Sequence, residues 1–119
     1  MRVAHLTDAM LDYWCGRASG IGAADLVIQP VPRTDLLICV YRRATRYDPS
    51  TNPVCGWPII ERDHIAFEWD DDVCHAEMEH VAAPGGQQRS FSYGPTSLVA
   101  AMRCKVASVY GDTVPDVPA

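Results

Sequence analysis

Apolar and polar positions along the chain divide it into a few periodic stretches separated by turn-rich ones. Met10, Leu11, Trp14 and Ala18 recur at helical spacing, with Leu6 just before them. Asp12 and Arg17 fall off that stripe. Thr7 or Asp8 offers an oxygen to the free backbone N–H groups of a first turn. Ser19-Gly20-Ile21-Gly22 ends the pattern, because glycine supplies a left-handed C-terminal conformation. The spacing predicts a helix over 7–19. Leu26-Val27-Ile28 is a short apolar run that stops at Pro30-Val31-Pro32, and the prolines mark a turn or an edge. The run from Leu36 to Tyr41 is rich in strand-favouring residues and reads as a buried strand. Ile59-Ile60-Glu61-Arg62 follows later. In His64 to Trp69, Ile65, Phe67 and Trp69 alternate with His64, Ala66 and Glu68, the period of a half-buried strand. Gly94-Pro95-Thr96-Ser97 opens a last helix. Its stripe is Leu98, Ala101, Met102, Val106, Val109 and Tyr110, and Gly111-Asp112 stops it.

Two stretches lack periodicity. Residues 42–58 begin with Arg42, Arg43 and Arg46, pass through Tyr47-Asp48-Pro49-Ser50-Thr51-Asn52-Pro53, and end at Cys55-Gly56-Trp57-Pro58. This composition predicts a long ordered loop, the kind that carries function in a compact domain. Residues 70–90, acidic and then glycine-rich, read as a mobile excursion, and 113–119 as a frayed tail. The order helix, strands, helix predicts an α+β fold: a small, mostly antiparallel sheet with an N-terminal and a C-terminal helix packed on one face.

At 119 residues the chain is expected to form a single domain spanning 1–119. Its formal charge of −5 argues against general nucleic-acid binding, which needs a basic footprint. No apolar run approaches the ~18 residues of a membrane span, and MRVAHLTDAM carries no secretory apolar region. The five cysteines, Cys15, Cys39, Cys55, Cys74 and Cys104, form no CxxC pair and read as buried thiols. A reducing, cytoplasmic location is the expectation. The densest run of metal-type ligands is Cys74 to His80, after Asp70, Asp71 and Asp72. It lacks the His-Glu-x-x-His order, and His75 and His80 would stand about 140° apart on a helix. No metal and no cofactor is expected.

No catalytic constellation is legible. There is no G-x-S-x-G elbow, no Walker motif and no dinucleotide fingerprint, and Gly85-Gly86 lacks the flanking strand and helix of a phosphate loop. The polar loop and the last helix suggest a binding site instead. Ser50, Thr51 and Asn52 supply hydroxyls and an amide, Tyr47 and Trp57 supply rings to stack on a base, and Glu61 and Arg62 follow. Thr96 and Ser97 sit at a helix start, where free N–H groups favour an anion. Arg46, Arg62 and Arg103 each carry a fork of donors suited to phosphate. Each part also has a plain structural use: Thr96 and Ser97 as caps, Trp57 as core, the arginines as solvated charges.

Several motifs in order resemble one family. These are Leu11-Asp12-Tyr13-Trp14, Tyr47-Asp48-Pro49-Ser50-Thr51-Asn52, Gly56-x-Pro58-Ile59-Ile60-Glu61-Arg62, the run from Gly94 to Arg103, Val106-Ala107-Ser108 and Gly111-Asp112. Together they are similar to the phage NinX family over nearly the whole chain. Trp57 stands where that family often has a second glycine, and Ser97 where proline is frequent. The resemblance implies an origin in tailed phages or prophages more firmly than it implies an activity. By analogy with other small acidic phage accessory proteins, it suggests an inhibitor or decoy of host defence. Three readings follow. The first is a non-catalytic binder of a phosphate-bearing, nucleotide-like molecule, with sequestration of a host defence signal as its role. The second is an inhibitor that meets a host protein through its acidic surface. The third is a nucleotide hydrolase. A homodimer through an exposed sheet face is compatible with all three.

Overall fold

The computed structural model describes residues 1–82 and 86–116. Helix α1 spans Asp8–Ala18 and buries Leu11, Tyr13, Trp14 and Cys15. Strands β1 (Leu26–Pro30), β2 (Leu37–Tyr41) and β3 (Thr45–Arg46) follow, then helix α2 (Pro53–Asp63). Strands β4 (Ala66–Asp70), β5 (Val73–Ala82) and β6 (Gly86–Gly94) precede the last helix, α3 (Ser97–Tyr110). All strand pairing is antiparallel, in two sheets of order β1-β2-β3 and β4-β5-β6. Helix α3 lies along β5 and β6 and against α1, while α1 lies against β1 and β2. Leu6, Leu11, Cys15, Met102, Cys104 and Val106 have no exposed surface and fill the seam between these layers.

The α+β class and the antiparallel pairing match the sequence reading, but the layout differs in four places. The strands form two sheets rather than one, because the stretch between β2 and β4 is not a loop. From Pro53 onward it is a helix. Asn52 caps α2 by accepting from the Val54 N–H at 3.1 Å, and Pro53 occupies the first turn, where its missing N–H costs nothing. The helix ends at His64, which takes a left-handed φ of 53°. Pro58, its sixth residue, forfeits an internal hydrogen bond and hid the helix from a pattern reading.

The acidic excursion expected over 70–90 is instead mostly paired strand. Cys74, Ala76 and Met78 are buried and alternate with His75, Glu77 and Glu79. The charges mask a period of two that is plainly there once the apolar residues are counted alone. Residues 83–85, within that stretch, lie outside the described ones. The expected tail is also tied down as far as Asp116. The Met1 amine donates to the Val114 carbonyl at 2.8 Å and to Asp116 Oδ1 at 2.7 Å, and Val114 is buried. Residues 117–119 lie outside the described ones.

Candidate functional site

A cleft of about 540 Å³ opens between the start of α1 and the β1–β2 hairpin. Thr7, Asp8, Ala9, Met10 and Asp12 form one wall; Val31 and the segment from Asp35 to Ile38 form the other; Arg46 and Thr51 close the end. The lining is mixed. Met10, Val31, Leu37 and Ile38 give it apolar walls, and Leu36 stands 64% exposed at its lip. Asp8, Asp12 and Asp35 contribute three carboxylates against the single guanidinium of Arg46, which is already drawn to Asp48 at 3.5 Å.

Asp12 is the chemically unusual member. It is only 4% exposed, yet among the described residues no cation is paired with it. Its Oδ1 accepts from the Ser50 backbone N–H at 2.9 Å. Burial pushes its carboxyl from 3.8 up to about 6; the hydrogen bond from the Ser50 N–H holds it back, and the charges of Asp48 and Asp8 add to the rise. Strongly shifted carboxyls that line a cleft cluster at functional sites. Asp8 adds a second irregularity. As the first residue of α1 it sits at φ 49°, and Thr7 before it makes no side-chain cap, so the first N–H groups of the helix beside the cleft lack a capping side chain.

Ser50 reaches Asp12 because the 47–52 segment wraps the flank of α1. Tyr47 packs where Gly16 leaves room, 3.1 Å from the position a Cβ would take, and its backbone N–H donates to the Cys39 carbonyl at 2.8 Å. Asp48 accepts from Asn52 Nδ2 at 3.2 Å and from the backbone of Thr51 and Asn52, which closes the turn. Gly56 holds that turn against α2: a Cβ there would lie 2.5 Å from the Pro49 carbonyl oxygen and 2.7 Å from Leu98. The motif residues Asp12, Asp48, Ser50 and Gly56 therefore form one packed unit.

The ten residues expected to bind ligand do not gather in one place. Thr51 lines the cleft, and Tyr47 and Ser50 form its support. Asn52 is consumed as the cap of α2 and Thr96 as the cap of α3, where it accepts from the Val99 N–H at 3.1 Å. Ser97 is the first residue of α3. Trp57 is 43% exposed and meets Phe67 edge to face. Glu61 is exposed, and Arg62 turns to its neighbour Asp63. Arg103 is 7% exposed and spends its donors on the Leu6 and Tyr93 carbonyls, both at 2.9 Å, so it offers no fork to an anion. The sequence reading missed Asp12. Its signal was present: Leu11, Tyr13 and Trp14 surround it, and a helix apolar on more than one face buries whatever lies between.

Among the described residues, no group of three or more His, Cys, Asp or Glu is placed to hold a metal ion. Nor is any of their helices long and apolar enough to cross a membrane. The thiols are poor nucleophiles: burial pushes Cys15, Cys39 and Cys104 up to about 12.

A small antiparallel α+β domain with a carboxylate-floored cleft is the class of protein that the fold and site define. A family model described as Bacteriophage P22, NinX matches residues 2–109. The chain belongs to this NinX family, which makes it a phage accessory protein. No curated protein matches it.

Proposed function

We propose that this phage protein is a non-catalytic binding protein whose site is the α1–hairpin cleft. The observation that supports this reading is Asp12, a buried carboxyl without a cation at the floor of a cavity with apolar walls. A buried charge without a partner is costly to the fold, and a ligand that donates to it relieves that cost. The favoured ligand has a planar or apolar body that lies along Met10, Leu37 and Ile38 and an amino group directed at Asp12. An amine-bearing nucleobase has that form.

The nucleotide-like ligand anticipated from the sequence is therefore kept at its base end and changed at its phosphate end. Three carboxylates against one guanidinium disfavour a phosphate inside the cleft, so any phosphate must lie outward, at Arg46. Sequestration of a host nucleotide signal is the role that such a binder would serve in a phage.

Thermal-shift titration with matched pairs tests this. Adenosine against inosine and cytidine against uridine differ at the amine, and AMP against adenosine differs at the phosphate. A ligand at about 100 times its dissociation constant stabilises the fold by about 2.7 kcal/mol, a shift of several degrees. The reading expects shifts with the amine-bearing member of each pair and little further gain from phosphate. Shifts with AMP and inorganic phosphate alone would return the site to an anion.

A further inference from the structure

The second sheet ends in an open strand. β4 is hydrogen-bonded to β5 alone, and among the described residues no other backbone bond reaches Ala66–Asp70. Natural sheets usually blunt such an edge, because its free N–H and C=O groups are a template for another strand. Along β4 itself the two faces differ in charge, although Val73, Phe91 and Tyr93 stand exposed farther back on the second face. On one face Phe67 and Trp69 project side by side, and Trp57 from α2 meets Phe67 at a ring separation of 6.2 Å. Trp57 and Trp69 are 43% and 54% exposed, and Val54, one turn before Trp57, is 85% exposed. This apolar strip continues from α2 across the edge. On the other face stand Glu68 and Asp70, next to Asp71 and Asp72, all exposed.

We propose that β4 receives an extended, basic segment of a partner protein, added as a fourth strand to the β4-β5-β6 sheet. Strand geometry sets the partner's pattern. Its apolar side chains fall on the Trp57–Phe67–Trp69 face, and Lys or Arg at the alternate positions falls opposite Glu68 and Asp70. The charge pattern selects against a second copy of this chain. Two antiparallel β4 strands would bring Glu68, Asp70 and their neighbours together, and like charges directly opposite one another destabilise a pair. Arg89, the cation nearest on the same sheet, is already held by Glu79 at 2.9 Å and Glu77 at 3.8 Å. This edge is separate from the α1–hairpin cleft, and the inference does not depend on that site.

The probe is a synthetic eight-residue peptide of alternating Lys and Val, titrated while tryptophan emission is followed. Two of the three tryptophans lie at the edge, whereas Trp14 is buried. Saturable binding is expected. It should be lost when alternate backbone nitrogens of the peptide are methylated, because strand addition needs their N–H groups. It should weaken about tenfold in the E68K/D70K double variant, which changes only exposed side chains and turns two attractive cross-strand pairs repulsive. Amide exchange should slow in β4 alone. Absence of binding overturns the proposal. Equal binding of the methylated peptide, or of a block peptide with the same four Lys and four Val, overturns it too, because either outcome is plain charge attraction. Dimerisation that disappears in E68K/D70K would give the edge to a second copy and overturn the basic partner.

Discussion

Replacing Asp12 by Asn should make this protein more stable at neutral pH. The folded carboxyl is raised from 3.8 to about 6, so between those values the fold holds a proton that the unfolded chain has released. Stability from this group is therefore fully present below 3.8 and is lost as pH rises to about 6 and beyond. At about 1.4 kcal/mol for each tenfold change, the loss is about 3 kcal/mol at pH 7.5. Asn keeps an oxygen for the Ser50 N–H and carries no charge, so it stands in for the protonated carboxyl; the value of about 6 already includes the bond from Ser50. The gain is about 3 kcal/mol at pH 7.5 and falls to about 0.5 kcal/mol at pH 4. In a domain of this size the gain at pH 7.5 is about 12 °C in melting temperature. Differential scanning fluorimetry of both proteins at pH 4, 6 and 7.5 reads it directly, since the other carboxylates cancel in the difference. An Asp12→Asn variant that melts at or below the parent at pH 7.5 would refute the reasoning, as would a difference that does not change with pH. A native residue that costs stability is one retained for another purpose.

Other substitutions separate support from site. Arg103→Met keeps the volume but leaves the Leu6 and Tyr93 carbonyls unpaired; it should cost about 3 kcal/mol or more in urea unfolding. Gly56→Ala forces a methyl against the Pro49 carbonyl and Leu98, and should cost about 2–3 kcal/mol, measured in the same way. Lys105→Met removes the nearer of the two cations at Asp63, 2.9 Å away in a mostly buried pair, and leaves the exposed Arg62 at 3.4 Å; it should lower stability by about 2 kcal/mol by the same assay.

The regular parts of the fold were legible because their residues vary with a single period. The stripe of α3, the α1 stripe and the Ile65–Trp69 alternation each sort one face from another, and each became the expected element. The rest was obscured where local chemistry and tertiary burial disagree. Pro53 and Pro58 read as loop, yet one sits where a helix tolerates proline and the other is carried by the packing of Gly56, Ile59 and Ile60. The charges of β5 read as solvated acid, yet every second residue from Cys74 to Met78 is core beneath α3. The binding residues were expected where donors were plentiful. The structure spends many of those polar groups internally: the Asn52 and Thr96 oxygens accept in two caps, and Arg103 donates to a pair of carbonyls. What it leaves unusual is a lone carboxyl, whose burial depends on a segment nearly forty residues away in sequence, a contact no local pattern reports.

The central claim is that a ligand donates to a charged Asp12, and calorimetric titration across pH tests it most directly. Binding of adenosine or cytidine should weaken about tenfold for each pH unit below 6 and level off above it, as the proton competes for the carboxylate. In Asp12→Asn the affinity should fall and lose its dependence on pH. Affinity that is flat across pH 5 to 8 in the native protein, or that strengthens on acidification, would contradict the account.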